Sequence, residues 1–542
     1  MTKDTLKKIR EDVLVKPWFL VYDNINFASR KLDQRIDNAD AFESGTTATV
    51  VMMDSYISSE SIKPSYQQLC LNDLIPHGDS FAHIQAVSEK ALIDVLVQSS
   101  EAFESSRRSS PTRHLLTVVE TVTHPLPSML IDQASVVGNL EVLNTVMEKT
   151  LRLHQDWFNN DHKVLIAGDQ LTVSRVSKVM EYKAIDISPY HRLQYALPML
   201  QLFHLQMAFC DLILKTHWGS ARQPGSLLFN KLLLKRKRVS LTSFDYHAAD
   251  ELLRHTFEAI VKRIWEVALK NTDLAKAVKG MDDQQIQDLV SEEVVDLVNK
   301  HLSPFPEEAA CTSHSNRNIA LLLRHILIYL ELCTSIRTGD IGRIEESLKW
   351  ITIMFQNGTN NNYALELLHI HCAIRYVWTP EMKRKIMTTW LVNTKGKENG
   401  WIPTDQYQEH NNKLIKAVYA AKGSNSSWDT LASSISVNIR TFSVIRKQFD
   451  TCFNRPHNSS YHSTVSAEAD IELLLLSLRN GNILGDNLDA GDADVEVALD
   501  KNLLSCGIGF LTESRVDSFR KAGPSEDMDE TKEEGQSEDP FL

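Results

Sequence analysis

Along the first two hundred residues, hydrophobic and polar positions alternate between a strand-like and a helix-like period. WFLVYD (18–23) is a short apolar and aromatic run of the kind that forms a buried strand, and it ends on Asp23. TTATVVMMDSYI (46–57), rich in β-branched residues, predicts a second strand. The stretch 58–130 yields no firm strand count, and HLLTVVETVT (114–123) fits a strand or a helix. Apolar residues at helical spacing predict a helix over 135–158. KVLIAGD (163–169) reads as a strand ending in a Gly-Asp turn at Asp169, and helical periodicity returns immediately after it. LPMLQLFH (197–204) predicts a further strand, leading into an apolar helix over 205–218.

From 225 to 480 the pattern is almost wholly helical, with amphipathic stretches at 248–270, 283–302, 317–336, 341–356, 362–378 and 408–421. The predicted organisation is therefore an α-rich α/β protein. A mixed-sheet core spans 1–224, a helical domain or insertion spans 225–480, and an acidic, disordered tail spans 481–542.

Charge sharpens the picture of the tail. The chain carries 58 basic and 70 acidic residues, a net charge of −12. Residues 524–542 alone hold eight acids and one base, and 481–501 hold six acids and one base, so the body is close to neutral. A neutral body permits local basic patches. KLLLKRKRVS (231–240) supplies one, with Lys231, Lys235, Arg236, Lys237 and Arg238 as candidate phosphate contacts or a nuclear address, although such a run is as often a solvated helix end. The seven scattered cysteines, never spaced as CxxC, suggest reduced thiols rather than disulfides. Without an apolar run of about 18 residues or a signal-peptide pattern, the expectation is an intracellular protein, nuclear or cytoplasmic, with no membrane partner.

The candidate chemistry lies in the acids that end strands. The order of elements, with Asp23 closing the first strand and Asp169 closing a later one, resembles the ribonuclease H-like fold of nucleases, integrases and many transposases. That resemblance implies one carboxylate on the first strand, a second just after the fourth, and a third on a late helix. Two divalent ions about 3.5–4 Å apart need hard oxygen donors, so Mg²⁺ or Mn²⁺ is the expected cofactor. Glu366, one turn into the helix that begins in NNNYALELL, is the expected third acid, with Glu251, Asp340 and Glu345 as competitors. Either aspartate can equally be a turn or helix-capping residue, and Glu366 a solvated position. His204 is a possible accessory residue near the site, or a satisfied core histidine. His369, His371 and Cys372 lack structural zinc spacing. Tyr363 and Tyr376, near Arg375 and His371, are the only candidates for a tyrosine nucleophile.

Several blocks together resemble an uncharacterised domain family widespread in fungi: YDNINFASRKLDQR with TTATVV, GDQLTVSR, LFHLQMAFCDLILKTHWG, RKRVSLTSFDYHAADELLRH, RTGDIGRIEESL, NNNYALELLH and AAKGSNSSWDTL. The resemblance covers about 16–450 and implies a product or relic of mobile elements, with DNA as partner and a homo-oligomer as a possible state. Relatives usually carry a longer N-terminal region, so a DNA-binding part is expected to be missing here. The leading expectation is divalent-metal-dependent DNA cleavage or strand transfer. The alternative is an inactive scaffold with a helical surface that binds protein or nucleic acid.

Overall fold

A computed structural model describes residues 2–29, 41–58, 62, 68–159, 162–303, 314–357, 361–421, 428–453, 466–485 and 500–522. Six strands form the main sheet: β1 (Trp18–Ser29), β2 (Ala41–Met52), β3 (Ile57–Ser58), β4 (Thr123–Pro125), β5 (His162–Gly168) and β6 (Ala196–Leu200). β1 pairs antiparallel with β2, and β2 antiparallel with β4. On its other side β1 pairs in parallel with β5, and β5 in parallel with β6, while the short β3 pairs antiparallel with β5. The sheet is thus mixed and small, within a helix-rich chain.

Alternation along the central strands gives the sheet two unlike faces. Leu20, Tyr22, Val164 and Ile166 point to one face, where they pack with Ile9, Val13, Val142, Val146, Val176 and Val179. Those partners come from the helices Thr2–Val15, Val136–Asn144 and Gln170–Tyr182, and from the wider helical turn Thr145–Thr150. Phe19, Val21, Leu165 and Ala167 point to the opposite face, where Val377, Met382, Ile386 and Tyr407 cover them. This second cover comes from residues more than two hundred positions after β5 in the chain.

The packing therefore departs from the expected division at 224. The Gly78–Ser99 helix, which lies before that boundary, joins the helical body through Leu92, Ile93 and Leu96. The Pro380–Thr389 and Thr404–Ala421 helices, which lie after it, cover the sheet. The last predicted strand also ends earlier than expected: β6 stops at Leu200, and a helix runs from Leu202 to Thr216, so His204 sits in its first turn. HLLTVVETVT is mostly extended chain, bridging Asp340 at Leu115 and entering β4 only at Thr123.

Disorder across the whole of 481–542 does not hold. Helices Leu503–Phe510 and Glu513–Ala522 bury Leu503, Leu504, Val516 and Phe519 in the helical core. Their apolar residues offset the entropy of ordering these two helices. The acidic end, 523–542, lies outside the described residues.

The His314–Thr338 helix is long and apolar enough to cross a membrane by length and composition, but 89% of that apolar window is buried inside the protein. Arg324, His325 and Glu331 are buried along it. The six described cysteines are all free thiols.

Candidate functional site

The register between β1 and β5 pairs Leu20 with Ile166 and Val21 with Ala167. Continued by two residues, it brings Asp23 level with Asp169 on adjacent parallel strands, whose spacing is about 4.8 Å. Both follow the alternation of Val21 and Ala167, so both belong to the face covered late in the chain. Asp169 does more than end the strand. Its Oδ1 accepts from the Thr172 amide at 2.7 Å and caps the Gln170–Tyr182 helix. Capping and a place in an acidic site are therefore compatible for this residue.

Across this face lies the Thr404–Ala421 helix, which presents Asp405, Gln408, Glu409 and Asn412 at three- and four-residue intervals. Polar groups hold it to the sheet. Thr49 donates to Gln408 at 2.7 Å, and Thr47 donates to Asn412. The Asn412 amide donates to Asp23 Oδ2 at 3.1 Å and to the Asn24 carbonyl at 3.0 Å. At the start of the helix, buried Asp405 accepts from the Phe203 and His204 amides, both at 3.1 Å, and pairs with His204 Nδ1 at 3.0 Å. A side chain from one helix thus caps another that begins two hundred residues earlier.

Electrostatics identify the acid that meets Asp23. Burial, then the charge of Glu409 and a hydrogen bond to it, push the Asp23 carboxyl well above the usual carboxylate range; His204 pulls it down and Asp169 pushes it further up. For His204, burial opposes the charged form. The Asp405 hydrogen bond and the charges of Asp405, Asp169 and Asp23 outweigh it and hold the pKa at about 9. His204 is a cation at neutral pH, set among carboxylates.

Of the residues expected at the site, the structure brings together Asp23, Asp169 and His204. The expected third acid, Glu366, is not among the groups that act most strongly on Asp23. It lies on the Asn361–Cys372 helix, one turn from Tyr363, a half-buried residue whose phenol is raised by desolvation and by the charges of Asp169, Asp405 and Glu366. Glu409 takes the place beside Asp23. The competitors are engaged elsewhere: Glu251 with Arg236, Glu345 with Lys383, and Asp340 as the cap of the Ile341–Phe355 helix.

The basic run is partly neutralised within the chain. Arg236 pairs with Glu251 and Asp470, each at 2.6 Å, and Arg238 pairs with Asp245. Lys231 lies 5.4 Å from the Trp218 ring centre, while Lys235 and Lys237 are exposed. His371 bonds the Asp73 carbonyl at 2.9 Å and His369 packs against Phe519. Tyr376 and Arg375 both engage Asp73.

Glu409 escaped sequence reading because its helix turns polar residues inward. Gln408, Asn411 and Asn412 are buried, yet by type they read as a solvated face. The one available signal is that Asp405, Gln408, Glu409 and Asn412 share a single side of the helix.

Three carboxylates are the right kind of donor for Mg²⁺ or Mn²⁺. Asp23 and Glu409, two half-buried acids close enough that the charge of one raises the other, are an arrangement that a cation relieves. Among the described residues, no group of three or more His, Cys, Asp or Glu side chains is already disposed to hold a metal ion.

In comparison with known proteins, a family described as a family of unknown function (DUF6589) matches residues 64–462. No curated protein and no solved structure matches the chain.

Proposed function

We propose, from the premise that the chain belongs to the DUF6589 family of unknown function, that Asp23, Asp169 and Glu409 form the acidic site of a transposase-derived, ribonuclease H-like core. The activity would be divalent-metal-dependent cleavage or strand transfer at a DNA phosphodiester. The carrying observation is the carboxyl pair between Asp23 on β1 and Glu409 on a late helix, beside Asp169 on the neighbouring parallel strand. The resemblance implies an acid on the first strand, a second just after the fourth and a third on a late helix; here the second follows β5, which is fourth in chain order when the two-residue β3 is set aside. The helical body between β6 and the Thr404–Ala421 helix then reads as the insertion that separates the last strand from the third acid.

Asp23, Asp169 and Glu409 would hold the ions. Bound there, divalent ions supply activation of the attacking oxygen and stabilisation of the leaving one. The chain's own part is to position the donors. Asn412 orients the Asp23 carboxylate, and Asp405 fixes the start of the Glu409-bearing helix against His204. The His204 cation balances part of the local negative charge. Exposed Lys235 and Lys237 remain the available phosphate contacts in the basic run.

Titration of the pure protein with Mn²⁺ tests this reading. Binding that Asp23→Asn plus Asp169→Asn abolishes supports it. Affinity equal to wild type in the double variant removes it.

A second reading is a catalytically silent scaffold. Asn412 and Glu409 already engage Asp23, and Asp405 already engages His204, so the site is closed upon itself. A wild type that does not bind Mn²⁺ at all favours that reading.

A further inference from the structure

The acids of the proposed site belong to a longer polar row. Thr47 lies opposite Asp23 in the β2–β1 register, and Asp169 is level with Asp23 just beyond the end of β5. The β5–β6 register pairs Gly168 with Leu200, so one further step pairs Asp169 with Gln201. The chain at Gln201 is still extended, and its amide donates to the Gly168 carbonyl at 3.0 Å, so the alternation that turns Met199 to the acidic face also turns Gln201 there. Thr47, Asp23, Asp169 and Gln201 thus stand side by side across four strands.

Gln201 is wholly buried, yet its side chain is only half used. The Nε2 group donates to the Met199 carbonyl at 3.3 Å, while Oε1 is buried with no hydrogen-bond partner. A buried amide oxygen left without a donor is destabilising, so its retention beside an acidic row calls for a reason. An amide oxygen is also a hard, neutral donor of the type that Mg²⁺ and Mn²⁺ accept, directly or through a bound water.

We infer that Gln201 is a fourth oxygen donor of the site, placing its carboxamide oxygen toward a divalent cation held by Asp23, Asp169 and Glu409. The inference rests on the metal-binding reading above. It adds a neutral position to a charged set, on the strand next to Asp169 and immediately before the helix that carries His204.

The test is Mn²⁺ affinity of the full chain, read from the electron paramagnetic resonance signal of free Mn²⁺, with melting temperature in chelator as a control on folding. Gln201→Met keeps the length of the side chain and removes the oxygen. It is expected to weaken Mn²⁺ binding about tenfold while leaving the chelator melting temperature no lower than wild type. Gln201→Glu, which restores an oxygen and adds charge, is expected to bind at least as tightly as wild type, and it carries the test should Gln201→Met fail to fold. Wild-type affinity in Gln201→Met, or weakened affinity in a folded Gln201→Glu, overturns the inference and leaves the three-acid reading intact. Absence of Mn²⁺ binding by the wild type overturns both.

Discussion

The two faces of the sheet are covered by helices in opposite ways. On one, Leu20, Tyr22 and Ile166 meet Val142, Val146, Val176 and Val179, and the contact is almost wholly apolar. On the other, Phe19, Val21 and Leu165 give way along the strands to Thr47, Thr49 and Asp23, which meet Gln408, Glu409 and Asn412. Apolar packing is tolerant of small shifts and stabilises in proportion to buried area. A buried polar interface has to be satisfied group by group, which makes it poorer for stability and better for fixing geometry. The second face therefore gives up stability for placement.

Substitutions can break that contrast. The largest loss is expected on the apolar face: Ile166→Ala removes a fully buried side chain at the centre of the sheet and should cost about 2–5 kcal/mol in denaturant unfolding. On the polar face, Asn412→Ala leaves Thr47 and Asp23 without their shared partner and should cost about 1–3 kcal/mol. If the two losses are reversed in size, the contrast between the faces is wrong.

Removing charge from the polar face should have the opposite sign. Asp23→Asn ends the confrontation with Glu409 and should raise the metal-free melting temperature by roughly 2 °C, the shift that about 1 kcal/mol produces in a large domain. A melting temperature below wild type would mean that Asp23 is stabilised where it stands. Smallest of all, Glu366→Gln should change stability by no more than about 0.5 kcal/mol and leave Mn²⁺ binding unaltered.

The same groups set a pH dependence. The Asp23 carboxyl is raised in the fold, so the folded state holds that proton more tightly than the unfolded chain. Its contribution is fully present below its unfolded value and is lost as pH rises through the folded one. His204 is also raised, to about 9. Its contribution is complete below the ordinary histidine range, near 6.5, and disappears as pH rises toward 9. Metal-free stability relative to His204→Gln should therefore fall between pH 6.5 and 9. A difference that stays flat across that window would exclude the charged His204–Asp405 pair.

What could be read from the chain follows from how each element is stabilised. β1 opens with, and β5 consists of, a buried apolar run followed by aspartate, so the strands and the two acids are legible in WFLVYD and KVLIAGD, although β1 continues past Asp23 to Ser29 instead of ending there. The second half of β1, NINFAS, mixes polar and apolar residues and was not. The Gly78–Ser99 helix was hidden because its inward side includes Ser80, His83 and Ser88, and His77 at its start makes no capping bond through its side chain. Glu409 was hidden for the same physical reason. Composition equates polar with solvated, whereas this helix buries its polar side against Thr47 and Thr49. Glu366, flanked by leucines, reads as a partly buried ligand or a solvated position, and nothing in its pattern sets the two apart.

The most direct measurement is the anomalous signal of Mn²⁺ in crystals of the full chain. The account predicts a peak about 2.0–2.3 Å from carboxylate oxygens of Asp23, Asp169 and Glu409, absent in Glu409→Gln and unaffected by Glu366→Gln. A peak that persists in Glu409→Gln, or that is coordinated by Glu366, would contradict it.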